Sequence, residues 1–354
     1  MAGLRKTAPA SNEAALKYVI NGGIATAIML FGMSYVFGLT GTTNLGGIAR
    51  RLQETNEPYM LALAFLLLLI GVSFKLATVP FHMWAPDVYE GAPVPATAFF
   101  AVVSKTAGFA LLLRLLVTIF AAAPSEGRDP SSLLLSMQPI ITVLAGLTMI
   151  IGSVVALRQR SLKRLLAYSS IAHAGYLLAG FAAMSWAMID SLWMYLLVYT
   201  LMNIGTFAII AHIVNETGSD DLDGLAGLYR HRPLLAAALG LFLLSLAGIP
   251  GTAGFIAKLH IFIGLVVTEP GHYVLAAVMA ITTVISYVYY FNLIVQLVFP
   301  PDVHRAAWPA AGRAVDRRRS LRAWNVGDRL GAGACLRYAR PVWAFWRFFA
   351  VTVE

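Results

Sequence analysis

Four lysines and one histidine stand where this sequence is otherwise apolar, and they define the chemistry open to it. Lys75 closes a long apolar stretch and precedes Pro80. Lys105 lies inside FFAVVSKTAGFALLL, ten residues past Pro95, and Lys258 lies eight residues beyond Pro250, between GTAGFIA and LHIFIGLVV. Lys17 stands at the start of the first apolar run, and His173 sits in YSSIAHAGYLLAG near Tyr168, Ser169 and Ser170. A lysine at bilayer centre costs roughly 3 kcal/mol on insertion scales, so such residues are seldom passengers. Burial and neighbouring charge tune how tightly an amine holds its proton; arginine stays protonated throughout. Lysines on separate helices, joined by water and by an imidazole that titrates near neutrality, could pass protons laterally. The alternative is structural. The ammonium groups snorkel to the interface on their apolar stems, and His173 is a satisfied core histidine.

Other chemistries find no support. There is no GxGxxG fingerprint, phosphate loop or GxSxG elbow. A single cysteine, Cys335, excludes a disulfide scaffold and any all-cysteine metal or iron–sulfur site. His82 with Asp87 and Glu90 is at most a hydrated cluster, and the scattered histidines do not spell a metal site. The acidic stretch ETGSDDLDG at 216–224 lacks the twelve-residue calcium pattern and reads as a solvated turn.

The elements that must position these residues follow from composition. Of 354 residues, 59% are hydrophobic and 12% charged, where a soluble domain carries about 25% charged residues. The fold class is an all-α polytopic membrane protein. A span needs about 20 apolar residues, and eight are expected, roughly at 15–38, 59–79, 95–122, 133–157, 164–183, 191–213, 233–265 and 272–299. Two interruptions are expected. Gly248, Pro250, Gly251 and Gly254 break the seventh span, and residues 79–95, with four prolines, follow the second. Broken backbone at membrane depth must be buried in protein or face water. Trp84 and Tyr89 suit an interfacial position. One side of the bilayer receives Arg5, Lys6, Arg158, Arg160, Lys163, Arg164, Arg230 and Arg232, the other only Arg50, Arg51 and Arg128. The richer side is therefore expected to be cytoplasmic, with both termini. The formal charge of +9 reflects this bias and the basic tail, with no sign of nucleic-acid binding.

Three segments carry a resemblance: GVSFKLATVPFHMWAPDVYEGAPVPATAFFAVVSKTAGFALLLR, RSLKRLLAYSSIAHAGYLLAG and LLSLAGIPGTAGFIAKLHIF. Over roughly residues 10–300 the chain resembles the subunit N family of bacterial proton-pumping NADH:quinone oxidoreductase, respiratory complex I, whose mitochondrial counterpart is subunit 2. The resemblance implies about fourteen helices built from two inverted five-helix repeats. It matches Lys75 to the lysine of the first broken helix, Lys105 to that of the following helix, Lys258 to that of the second broken helix and His173 to a central water-connected position. Lys17 is a lesser member, a modulating charge. The resemblance implies no cofactor in this chain, since NADH, FMN, iron–sulfur clusters and quinone belong to other subunits. It further implies neighbouring antiporter-like membrane-arm subunits as partners and a bacterial inner membrane as the location. Two alternatives stay open, a cation/proton antiporter subunit and a non-pumping scaffold fragment.

The resemblance also implies departures. The family has helices before the first span found here, one bearing a glutamate that pairs with the lysine matched by Lys75. Glu13 is not equated with it. The chain thus reads as a truncated copy with a partial inverted-repeat fold: a short cytoplasmic segment at 1–14, a partial proton-translocation domain at 15–300, and a basic tail at 301–354. The tail holds ten arginines and no lysine. It reads either as a frameshifted stretch of GC-rich DNA or as a basic tail whose WAFWRFF end lies on the membrane.

Overall fold

Proline opens helix after helix in this chain, because its fixed φ suits the first turn and its missing N–H costs nothing there. The computed structural model describes residues 1–5, 7–53, 57–120, 133–183, 186–268 and 271–298; the tail expected to be frameshifted or basic, Cys335 included, lies outside them. Pro9 starts α1 (Pro9–Thr40), ahead of the expected start near residue 15, and Gly41 ends it at a φ of 62°. In α2 (Leu45–Leu52) the Asn44 side chain caps the first turn through the Gly47 N–H. Then come α3 (Pro58–Leu76), α4 (Trp84–Gly91) and α5 (Val94–Phe120), the last with π-helical stretches at Phe100–Ser104 and Leu116–Phe120. The helices α6 (Leu133–Ala156) and α7 (Leu162–Ala183) form a close antiparallel pair. They are followed by α8 (Trp186–Thr217), α9 (Pro233–Ala247), α10 (Ala253–Val267) and α11 (Tyr273–Val298).

Seven helices of the described residues are long and apolar enough to cross a membrane, and the shorter apolar α9 and α10 divide the seventh expected span. Among those residues the only β-pairing is an isolated bridge, Ser161 to Asp221. The chain is a polytopic all-α membrane protein. Its organising element is α7, buried almost throughout although it carries Ser169, Ser170, His173 and Tyr176. Polar groups at membrane depth stay inside the bundle, where neighbouring helices supply partners. On the outer helix α1, Leu16, Val19, Ile20, Ile24 and Phe31 face outward, as hydrocarbon requires.

Two expectations need correction. Trp84 and Tyr89 do not form a surface belt facing lipid or water: they are 2% and 0% exposed. The Trp84 indole donates to the Phe74 carbonyl at 2.9 Å, and its ring packs with Tyr18, Phe74 and Phe100. An aromatic ring with one polar tip is well served by a broken helix, which frees a carbonyl beside an apolar wall. Nor is the acidic stretch at 216–224 simply solvated. Leu162 N–H donates to Asp220 O at 2.9 Å, Leu222 N–H donates to Arg160 O at 3.1 Å, and Asp220 pairs with the buried Lys163 at 2.9 Å. The sequence pattern of the stretch carries no trace of that partner, which arrives from the α6–α7 turn.

Candidate functional site

The α3–α4 break satisfies its freed backbone groups one by one. Ala77 adopts a left-handed φ of 55° and its N–H returns to Phe74 O. Thr78 N–H bonds Ser73 O at 3.0 Å, and Val79 N–H donates to the Thr148 hydroxyl of α6 at 3.0 Å. Lys75 stands just before this break and is exposed among the described residues. A Cβ on Gly108 would lie 3.6 Å from the Lys75 Cβ, so the start of its stem rests on α5 near Lys105.

Lys105 directly follows the first π-helical stretch. Such stretches widen a helix and release carbonyls from their usual partners; Tyr199 of α8 donates to one of them, Ala101 O, at 3.2 Å. Lys105 is 2% exposed, and its Nζ donates to the Ser170 carbonyl and hydroxyl, each at 2.5 Å. The Ser170 hydroxyl also meets Tyr199 Oη at 2.8 Å and Tyr89 Oη at 3.3 Å. Three polar side chains from α4, α5 and α8 therefore converge on one serine of α7.

One turn further along α7, His173 Nδ1 lies 2.7 Å from Tyr195 Oη and Nε2 lies 3.3 Å from Tyr290 Oη. Tyr290 in turn bonds Ser169. The imidazole packs against Tyr199 and Tyr176, with ring centroids 5.3 and 5.6 Å away. The Lys105 group and the His173 group are hydrogen-bonded clusters in ring contact, side by side across one helical turn.

Lys258 is placed by the second break. Helix α9 stops at Gly248, whose φ of 81° favours glycine, and the Thr252 side chain caps α10 through the Phe255 N–H. The final carbonyls of a helix lack intrahelical partners and carry the negative end of its dipole. Lys258 Nζ donates to two of them, Leu246 O at 3.0 Å and Ala247 O at 2.8 Å, and stands 4.9 Å from the centroid of the Tyr176 ring. The half-helices cross so closely that a Cβ on Gly254 would collide with the Ser245 carbonyl.

Among the described residues no carboxylate pairs with Lys105 or Lys258. Lys17 differs. It bonds Glu13 and Asp87, each at 2.6 Å, and Asp87 and Glu90 also receive Arg164 at 2.9 and 2.8 Å. This surface network takes up the acids expected to lie with His82. The structure thus brings Lys105, His173 and Lys258 to a common helix, α7, and leaves Lys75 and Lys17 outside that group. The groups it assembles are amines, hydroxyls and an imidazole, a donor set suited to protons and water. Sequence reasoning missed Tyr89, Tyr176, Tyr195, Tyr199 and Tyr290. A signal existed, since Tyr195, Tyr199, Asn203 and Thr206 recur at helical spacing within an apolar span.

Comparison with known proteins follows the same lines. Residues 1–286 match the family described as NADH:quinone oxidoreductase/Mrp antiporter, transmembrane. A protein of Geobacillus kaustophilus named NADH-quinone oxidoreductase subunit N is 98% identical over 301 residues, covering 85% of this chain and 61% of the relative. A chain of respiratory complex I from Thermus thermophilus superposes with a TM-score of 0.69 at 35% identity, over 85% of this chain and 62% of that one. A chain of the Mrp complex from Dietzia sp. gives a TM-score of 0.73 at 25% identity, over 87% of this chain and 56% of that one. The chain spans about three-fifths of the length of the relatives it matches.

Proposed function

We propose a function from this premise: the chain belongs to the NADH:quinone oxidoreductase/Mrp antiporter family of membrane proteins. Within it, the chain works as a subunit-N-type component of a proton-pumping NADH:quinone oxidoreductase. It carries protons through Lys105, His173 and Lys258, with Lys75 as a further carrier and Lys17 as a modulating charge. The observation that carries this reading is the pair of buried lysines, both in contact with α7, that no carboxylate pairs with among the described residues. A buried ammonium without a counter-ion is costly to keep, so each amine is poised to change its protonation state when a neighbour's charge changes. Hydroxyl groups at Ser169, Ser170, Tyr199 and Tyr290 both donate and accept, which suits the intervening steps.

NADH, FMN, iron–sulfur clusters and quinone act in other subunits, and neighbouring antiporter-like subunits flank this one in the membrane arm. The excess of basic residues in the loops of one side supports a cytoplasmic position for both termini, in a bacterial inner membrane. The likeness to the Mrp complex chain favours a second reading, a cation/proton antiporter subunit. Inverted vesicles separate these readings from one another. Lys105→Ala or Lys258→Ala should lower NADH-driven acidification while the subunit stays assembled. Unchanged acidification would support a scaffold. Dissipation of a pH gradient by added sodium, without NADH, would support the antiporter.

A further inference from the structure

The two buried lysines that no carboxylate pairs with among the described residues are held by different chemistry. Lys105 Nζ meets a carbonyl and a hydroxyl, and a hydroxyl can donate as well as accept, so a neutral amine keeps a partner there. Lys258 Nζ meets two carbonyls at the negative end of a helix and the face of an aromatic ring. All three favour an ammonium. The attraction between a cation and a ring face is electrostatic, acts within about 6 Å of the centroid and strengthens when both are desolvated.

We propose that Tyr176 is a positioning residue whose ring keeps Lys258 charged at rest, making Lys258 the proton-bearing end of the relay; this rests on the proton-carrying reading above. The ring is well fixed for the task. Tyr176 is 1% exposed and stands edge-on to the His173 imidazole, with interplanar angle 86°. At the preceding residue, a Cβ on Gly175 would meet the Met149 backbone at 2.7 Å, so this turn of α7 is held tightly against α6. Tyr176 therefore touches both the imidazole and the amine.

The titratable groups around the ammonium are few. From α7 come His173 and Tyr176. From α11 comes Tyr287, which donates to the Gly248 carbonyl at 3.2 Å, and Tyr290, which bonds His173. From α8 come Tyr195 and Tyr199, which pack on the imidazole. Helix α9 offers only backbone carbonyls and the Ser245 hydroxyl. On α10 itself His260 is exposed while Lys258 is buried. Among the described residues, the ring face that Nζ meets, apart from the helix-end carbonyls, is that of Tyr176.

The test replaces Tyr176 with phenylalanine and then with its mono-, di- and trifluorinated analogues, in the assembled complex. Fluorination drains the ring face of negative charge and nearly preserves its shape. The readout is the pH midpoint of the alkaline limb of NADH-driven proton uptake. A weaker ring holds the proton less tightly, so the limb moves to lower pH. The midpoint should fall with each fluorine, by about one pH unit across the series. Tyr176→Phe, which keeps the ring face, should stay near the unsubstituted value. A midpoint that is flat across the series overturns the proposal. Lys258→Ala, measured alongside, separates the two levels. Pumping that survives Lys258→Ala defeats the proton-carrying reading itself. Pumping lost in Lys258→Ala, together with a flat fluorine series, defeats the role of Tyr176 alone.

Discussion

Replacing Lys163 with methionine tests whether the edge of the bundle at the α6–α7 turn is clamped by a buried ion pair. Lys163 is 2% exposed, and its Nζ lies 2.9 Å from the Asp220 carboxylate, itself 35% exposed. The same nitrogen donates to the carbonyls of Glu90 and Ala92 at the end of α4. A hydrogen bond to a charged group contributes about 1.5–3 kcal/mol. Methionine keeps the apolar stem and removes the buried charge, whose desolvation cost is recovered. Asp220 regains water on its exposed side, which further lowers the loss. The net expectation is a destabilisation of about 2 kcal/mol for Lys163→Met. Asp220→Asn should cost a similar amount, because it strands the ammonium with two carbonyls. The double substitution should cost little more than either alone, since the members of a pair couple rather than add. Denaturant midpoints of the purified protein in detergent, read by helical circular dichroism, measure all three. Single substitutions within about 0.5 kcal/mol of the parent, or a strictly additive pair, would refute the clamp.

Three further outcomes are expected. Ala77 holds a left-handed φ of 55° after Lys75; Ala77→Gly should stabilise by about 0.5–1 kcal/mol in the same assay, the relief of that conformation exceeding glycine's added chain entropy. Gly248→Ala should destabilise by about 1–2 kcal/mol through its positive φ. It should also reduce pumping more than assembly, since the new Cβ would lie 2.9 Å from Lys258 Cδ; vesicle assays with quantified subunit decide this. Ser170→Ala should destabilise by about 1–3 kcal/mol, because it leaves Tyr199 and Tyr89 short of a partner and Lys105 with one acceptor. A neutral result in the denaturant assay would mean the serine is not the hub the geometry makes it.

Much of this arrangement is legible in the sequence, and the limits have physical causes. Hydropathy places the spans because the bilayer fixes their length. The α9–α10 break is legible because glycine and proline leave few other conformations between Ala247 and Ala253. Lys105, Lys258 and His173 are conspicuous because a charged or titratable side chain is rare against such a background. Their partners were harder to find. Tyr176 and Tyr290 have hydrocarbon rings that raise no alarm in an apolar helix, and only packing shows where their hydroxyl tips or ring faces go. Trp84 was misplaced for a related reason: interfacial belts and broken helices both offer an indole one apolar wall and one acceptor. Lys163 reads as an orientation signal on composition alone. Its burial depends on Asp220, 57 residues away, and no local pattern encodes that distance.

The claim that protons pass between Lys105 and Lys258 is tested most directly at the residue between them. His173→Leu leaves both lysines and their carbonyl partners in place and removes the imidazole that contacts Tyr195, Tyr199, Tyr290 and Tyr176. The measurement is the number of protons moved per NADH oxidised in membranes where the complex is fully assembled. A lowered ratio with sustained NADH oxidation is the expected result. A ratio equal to that of the unsubstituted complex would mean that protons do not travel through His173.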